Sequence, residues 1–222
     1  MTTIQVLDKT TSLLVASLPV DDEHSVIAAA NRARTAQPKW AALPIKERVR
    51  LIKLARKEFL KDKDKIRDAL AQETGKVPFD VIGEIFAVCQ DIGHFSKKAG
   101  KWLKPRKVSM FPLLGKKGLI IYQPYGLVGV ISPWNAPLTL AMSDVLPALY
   151  AGNAVLLKPS EITPLAVKYA VEAFNRVLPP GVLHCLIGEG PTGAALIDQV
   201  DMLAVTGSCQ TGRKVMERAS RR

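Results

Sequence analysis

Apolar and polar positions follow two textures along this chain, and the change between them falls near residue 105. Before it, apolar side chains recur at helical spacing. Asp21 and Asp22, of a residue type that caps helices, precede Val26, Ile27, Ala30 and Ala33, and Pro38 is expected to end that helix. From Pro44 to Gly75 the positions Val49, Ile52, Leu54, Phe59, Ile66 and Leu70 recur at threes, fours and their sums. With Gly75 as a natural stop, the spacing predicts two helices broken near Lys61. Pro78 suits a first helical turn and opens a run through Val81, Ile82, Ile85, Phe86, Cys89 and Ile92 to Phe95. Cys89 falls on its apolar stripe and reads as a core thiol rather than a reactive one.

Past Arg106, two β-rich pieces, Val108 to Leu114 and Leu119 to Gln123, flank Gly115-Lys116-Lys117-Gly118, which signals a hairpin. After Pro124 come short apolar runs ending in polar residues: Leu127 to Ser132, Ala154 to Lys158, Val182 to Ile187 and Met202 to Thr206. Runs that are apolar at successive positions suit strands buried on both faces, and their alternation with helix-length segments predicts βαβ units and a parallel sheet. The expected fold class is α/β: a Rossmann-like doubly wound sheet over residues 124–222, preceded by a helical part over 1–105 and a β-hairpin over 106–123. Four strands make an incomplete sheet, whose terminal edge would be uncovered unless more chain follows.

Composition narrows the function classes. The 222 residues are 48% hydrophobic and 23% charged, as in ordinary globular proteins. A net charge of +11 raises the question of nucleic acid or a membrane surface. Residues 39–117 hold 20 basic and 9 acidic side chains, whereas those after Gly118 hold 8 and 7. From Lys39 through Arg50, Arg56, Lys61 and Lys65 to Lys107 and Lys117, the charges interleave with apolar residues and read as solvated helix faces. No zinc-ligand set, RNA-stacking signature or bare basic tail accompanies them, so no nucleic-acid partner is expected. No apolar run reaches the ~18 residues of a membrane helix, and no membrane partner is expected either. Cys89, Cys185 and Cys209 are scattered and odd in number, which argues for a reducing compartment; with no leader-like start, the expected location is the cytoplasm. No pair of histidines has metal-ligand spacing.

Ligands of open parallel sheets bind at the carboxyl ends of the strands. Four segments stand there: Pro133-Trp134-Asn135, Lys158-Pro159-Ser160-Glu161, Gly188 to Gly193, and Thr206 to Gly212. The third spells G-x-G-x-x-G, but the nearby acid, Asp201, precedes its strand and so lies at the opposite edge; only Glu161 closes a strand where it can take ribose hydroxyls. The fourth resembles a phosphate loop but has Arg213 and Lys214 after Gly212, where Lys and a hydroxyl would be needed. What remains is a glycine-flanked turn opening a helix, suited to a pyrophosphate or serving simply as a tight turn.

Pro133-Trp134-Asn135 after a Gly-bearing strand, Leu156-Leu157-Lys158-Pro159-Ser160-Glu161 with Thr163-Pro164, Pro179-Pro180-Gly181-Val182, and Val205-Thr206-Gly207-Ser208 ending in Gly212-Arg213 resemble, in order and spacing, the NAD(P)-dependent aldehyde dehydrogenases. The likeness extends to Glu73-Thr74-Gly75-Lys76. It implies a cofactor domain, a catalytic domain and a β arm for oligomerisation, to which the hairpin of residues 106–123 is similar. It also implies aldehyde oxidation through a thiohemiacetal on a catalytic Cys, hydride transfer to the nicotinamide, and thioester hydrolysis by a Glu-activated water.

By that resemblance Asn135 is the catalytic oxyanion donor. Lys158 and Glu161 hold the adenosine ribose beside Ser160, which favours NAD while leaving NADP possible. Ile131, Ser132, Pro133 and Trp134 form the strand-end wall, with core packing of Trp134 the open alternative. Gly188 and Gly193 admit the adenosine side, and Thr206, Gly207, Ser208 and Gly212 form the pyrophosphate turn. Cys209 and Thr211 depart from the family's usual residues. None of the cysteines matches the nucleophile's motif, so the chain is expected to be the cofactor-binding portion of a homo-oligomeric enzyme acting on a small aldehyde, with the catalytic Cys and Glu beyond Arg222 and no turnover alone. A non-catalytic nucleotide-binding or oligomerising short form is the alternative.

Overall fold

A computed structural model describes residues 2–112 and 115–221. The chain opens on an antiparallel pair, β1 (Thr3–Leu7) and β2 (Leu14–Pro19), which the helical reading of residues 1–105 did not contain. Its signal is a period of two: Ile4 and Val6 are buried while Thr3, Gln5 and Leu7 are exposed.

Four helices follow: α1 (Glu23–Ala42), α2 (Ile45–Lys61), α3 (Lys63–Thr74) and α4 (Pro78–Trp102). Asp22 caps α1 by accepting from Ser25 N at 2.8 Å, whereas Asp21 instead accepts from Ile187 N at 2.7 Å. Pro38 does not end α1. It deletes one backbone donor, but the next turn is pinned from outside: Gln37 Nε2 donates to Gly152 O and Trp40 Nε1 to Leu149 O, each at 3.0 Å. Gly75 stops α3 in the left-handed conformation, with φ +70°.

The hairpin forms with a different register from the expected one. β3 (Arg106–Val108) pairs with β4 (Gly118–Ile120), Lys107 facing Leu119 and Val108 facing Gly118. Gly118 is therefore a strand residue and not part of the turn; a Cβ there would stand 2.6 Å from Val108 Cγ2 and 2.7 Å from Met110 Sδ. The expected strand end at Leu114 lies outside the described residues.

Then come β5 (Leu127–Ile131), α5 (Pro137–Ala151), β6 (Ala154–Lys158), α6 (Leu165–Asn175), β7 (Leu183–Cys185), α7 (Gly190–Gln199), β8 (Met202–Val205) and α8 (Cys209–Ala219). The four strands form a parallel sheet in the order β7-β6-β5-β8. Both faces of β5 and β6 are covered, whereas β8, an edge strand, has no buried residue, contrary to the expectation for the run from Met202. Val128, Val130, Val155 and Leu157 pack into the cluster that contains α4, α5 and α6, whereas Leu127, Ala154 and Leu156 meet Val26, Ala30 and Ala33 of α1 and Leu196 of α7. The first long helix of the chain thus supplies part of the second layer over the sheet.

Side chains of the helical part also hold the ends of the crossover helices, whose terminal backbone groups have no partner inside the helix. Glu84 accepts from Leu138 N and Thr139 N at 3.0 Å each, at the start of α5, and pairs with Lys76. Glu73 accepts from Leu165 N at 2.7 Å and Ala166 N at 2.9 Å at the start of α6. Arg48, also buried, donates to the carbonyls of Tyr150, Ala41 and Leu43 at the far ends of α5 and α1. These contacts fix where α5 begins, and so where Asn135 stands.

Candidate functional site

The carboxyl ends of β5, β6 and β8 open into a cleft of about 1110 Å³. Its floor follows from the sheet register. Ile131 lies beside Lys158 on one side and Val205 on the other, so the residues that follow each strand come out side by side. Ile131, Ser132, Pro133, Trp134 and Asn135 line the cleft from β5; Lys158, Ser160 and Glu161 from β6; Gly193 from α7; and Thr206, Gly207 and Ser208 from β8.

Trp134 is 56% exposed, so it forms a wall and not core. Thr163 Oγ1 donates to its carbonyl at 3.3 Å and ties the β5 exit to the β6 exit. The Lys158 side chain is buried and runs beside Gly193. Its Nζ donates to Pro159 O at 3.1 Å and reaches Glu161 Oε2 at 3.5 Å, two partners for three donors. Burial pulls this ammonium below the ordinary lysine value, and the Glu161 carboxylate opposes the shift. Ser132, 3% exposed, has a buried Oγ with no hydrogen-bond partner among the described residues.

At β8 the turn leads into α8. Ser208 is its N-cap, accepting from Thr211 N at 3.1 Å, with Thr211 Oγ1 at 3.0 Å from the same oxygen. Two of the expected cofactor residues stand elsewhere. Gly188 packs under Thr192, whose Oγ1 would be 1.9 Å from a Cβ at that position and which donates to Asp21 O. Gly188 is therefore small to admit Thr192. Gly212 lies within the first turn of α8, its N–H donating to Ser208 O at 2.9 Å, and does not line the cleft. Asp201 is confirmed at the opposite edge, accepting from Leu127 N and pairing with Arg34.

Of the remaining lining, Glu189 and Thr211 fall in the strand-end segments named above, and the others lie beyond them. Leu140, Ile162, Ala194, Ile197 and Val215 give apolar walls, while Glu189, Thr211, Lys214, Glu217, Arg218 and Arg221 edge the cleft with charge and hydroxyl. Helical spacing from Gly193 and from Ser208 would have found most of them, since Gly193 to Ile197 and Thr211, Lys214, Arg218 and Arg221 each follow one helix face.

A cleft with these donors at the edge of a parallel sheet is the setting of a dinucleotide site. The model of the aldehyde dehydrogenase family matches residues 1–222. The chain belongs to the aldehyde dehydrogenase family. This aldehyde dehydrogenase chain is 38% identical over 226 residues to 4,4'-diapolycopene aldehyde oxidase of a Methylomonas species, covering 100% of this chain and 43% of that protein. It is 39% identical over 209 residues to a putative NADP(+) succinate-semialdehyde dehydrogenase of Mycobacterium ulcerans, covering 93% and 40%. Among solved structures, PnpE in complex with nicotinamide adenine dinucleotide superimposes with a TM-score of 0.91 at 30% identity, over 99% of this chain and 45% of that one. The chain thus spans about four-tenths of the length of the curated relatives it matches.

No cysteine lines the cleft among the described residues. Cys89 is buried in the core between α4 and its neighbours, and burial pushes the Cys185 thiol up to about 12. Cys209 is exposed at the start of α8.

Proposed function

We propose that this aldehyde dehydrogenase chain holds the nicotinamide cofactor of an enzyme that oxidises an aldehyde to a carboxylic acid, with NAD favoured over NADP. The observation that carries this reading is the convergence, in one cleft, of a buried ammonium with an unused donor, a buried hydroxyl with no partner and a glycine-bearing turn that opens a helix. When bound, NAD(P) supplies the hydride acceptor. The groups present fit it. Lys158 donates to ribose oxygens and Glu161 accepts from a free 2′-hydroxyl, which a 2′-phosphate would replace with repulsion. The Ser132 hydroxyl gains the partner that it lacks. The Gly207–Ser208 turn at the start of α8 would take the pyrophosphate, while Ala194, Ile197 and Val215 would suit a flat base.

Asn135 presents an uncharged amide to the developing negative charge on the aldehyde oxygen, a kind of donor whose loss costs about 10² to 10³ in rate. The nucleophile and the general base come from other residues of the complete enzyme, which associates with further copies along the open edges of β3 and β4. With no cysteine in the cleft, the 222-residue chain alone binds nucleotide without oxidising aldehyde, and that same observation favours a nucleotide-binding role for it as a separate piece.

Calorimetric titration with NAD and NADP tests this. Binding of NAD tighter than NADP is expected, weakened about tenfold or more in Lys158→Ala with Glu161→Ala and unchanged in Asn135→Ala. Absence of NAD binding by the folded chain overturns the cofactor assignment. NADH production from an aldehyde by the chain alone, abolished by Asn135→Ala, overturns the non-catalytic reading.

A further inference from the structure

α5 and α6 each follow a strand exit that lines the cleft, and each starts from a residue with no capping side chain, Ala136 for α5 and Pro164 for α6. The first N–H groups of a helix then need acceptors from elsewhere. Glu84 of α4 serves α5. Glu73, fully buried in the last turn of α3, serves α6 from 92 residues earlier in the chain. Both of its oxygens are used, Oε2 accepting from Leu165 N at 2.7 Å and Oε1 from Ala166 N at 2.9 Å. The connection from β6 to α6, Pro159 to Pro164, carries Ser160 and Glu161 of the cleft. Inside it the hydrogen bonds are long: Ile162 N donates to Ser160 Oγ, Thr163 N to Ser160 O and Thr163 Oγ1 to Trp134 O, each at 3.3 Å. The shape of this segment therefore depends on how its ends are held, by β6 at one end and by Glu73 at the other.

We infer that Glu73, although outside the cleft, is a positioning residue for its ribose end: by holding the first turn of α6 it fixes the segment that carries Ser160 and Glu161. The inference rests on the cofactor reading above. The geometry uses both oxygens as acceptors, which the ionised carboxylate supplies; a proton on either oxygen sets an O–H against an N–H of α6. The surroundings of Glu73 bring that proton into the neutral range. Burial pushes the carboxyl up to about 7, the N–H groups of Ala166 and Leu165 hold it down, Glu84 of α4 adds to the rise, and Lys9, from the turn between β1 and β2, opposes it. Lys76 pairs with Glu84.

Glu161 depends most on this support. Its carboxylate stands 3.5 Å from Lys158 Nζ, at the limit of a hydrogen bond, so the backbone of the segment decides where it points. Lys158 itself closes β6, which is paired with β7 on one side and β5 on the other. A looser start of α6 is therefore felt at Ser160 and Glu161 before it is felt in the sheet. Gln at position 73 would keep the size of the side chain but present one acceptor oxygen and one amide donor, leaving an N–H of α6 without its partner.

Hydrogen exchange and calorimetry on the 222-residue chain test this. Without nucleotide, Glu73→Gln is expected to speed exchange of the Ile162 and Thr163 amides about threefold or more relative to Val155 N, which the sheet holds. At about pH 8, NAD should bind Glu73→Gln about threefold to tenfold more weakly than the wild-type chain. The wild-type chain should lose a similar factor between about pH 8 and pH 6, as Glu73 takes up its proton, and Glu73→Gln should show no such change. Exchange of the two wild-type amides, corrected for the intrinsic rate, should follow the same pH trend; this measurement decides the matter even where the variant fails to fold. Ser132→Ala, which removes a cleft group and no part of the segment, should weaken NAD and leave both amides unchanged. Equal acceleration at Val155, or none at Ile162 and Thr163, overturns the inference. So does an NAD affinity that is unaffected by Glu73→Gln and flat with pH in the wild-type chain. A wild-type chain that binds no NAD overturns the cofactor reading instead, and the exchange result alone then judges Glu73.

Discussion

Ser132 and Glu73 are both buried polar residues, and they bear opposite costs. The Ser132 hydroxyl has given up water for nothing in the fold, which costs about 1–3 kcal/mol, whereas the Glu73 carboxyl has two N–H donors and still suffers from desolvation. Ser132→Ala should therefore leave the unfolding temperature of the cofactor-free chain unchanged or raised, while weakening NAD about threefold to thirtyfold in calorimetry; a lowered unfolding temperature would mean that the hydroxyl is already satisfied. For Glu73, burial raises the carboxyl from 4.5 to about 7, against the lowering by the N–H groups of Ala166 and Leu165. A raised value means that the folded chain holds the proton more tightly than the unfolded one. The stability this supplies is complete below about pH 4.5 and is lost as pH rises through about 7, a difference on the order of 3 kcal/mol. Denaturant midpoints measured from about pH 5 to pH 8 should fall, and Glu73→Gln, neutral throughout, should flatten that fall.

At the scale of elements, α5 is the helix whose position matters most, because its first turn follows Asn135 directly. Glu84 holds that turn, and Trp40 and Arg48 hold its far end. Glu84→Ala removes the acceptor of Leu138 N and Thr139 N and leaves Lys76 unpaired, so a loss of about 2–4 kcal/mol is expected in urea unfolding, with faster exchange of those two amides. Undiminished protection of Leu138 N would show that the helix start is held by something else. Most elements were legible in the sequence for a reason of this kind: a face that must be buried leaves a period. α2, α3 and α4 carry such periods, which Gly75 and Pro78 punctuate, whereas β5 and β6, buried on both faces, stand out as short unbroken apolar runs. Three features escaped. Pro38 has the chemistry of a terminator, yet contacts more than a hundred residues away carry α1 past it. The β1–β2 pair is short, with only Ile4, Val6 and Leu18 fully buried. The hairpin register depends on Gly118 fitting beneath Val108, a steric fact with no trace in hydropathy. Glu73 and Lys76, quoted above within a family motif, turn out to hold helix starts and to pair with Glu84.

Across the whole molecule, the cleft was legible wherever a strand end made it, because the rule for parallel sheets selects those residues before any coordinates exist. On α7 and α8 helical spacing names the lining only once Gly193 and Ser208 are known to turn inward, since which face of a helix does so depends on how the helix crosses its neighbour. α8 shows the consequence. None of its residues is buried, yet Thr211, Lys214, Val215 and Arg218 line one side of the cleft. Among the described residues it is tied down by the Ser208 cap and by the pair between Arg218 and Asp198, both at the surface, where ion pairs contribute about 0–1 kcal/mol. The second wall of the site is thus lightly secured, and cofactor that touches both α7 and α8 should hold it in place. Saturating NAD at about 100 times its dissociation constant adds about 2.7 kcal/mol to global stability, which for a domain of this size raises the unfolding temperature by roughly 5–10 °C. Hydrogen exchange should show more than that average in one place: amides of α8, fast in the free chain, should slow upon NAD binding, while those of α5 and β6, buried in either state, should change only as much as the global stability does. Protection spread evenly over all helices would mean that α8 is already fixed in the free chain. Protection confined to α8 and absent in Lys158→Ala would tie the ordering of that wall to the ribose end of the cleft.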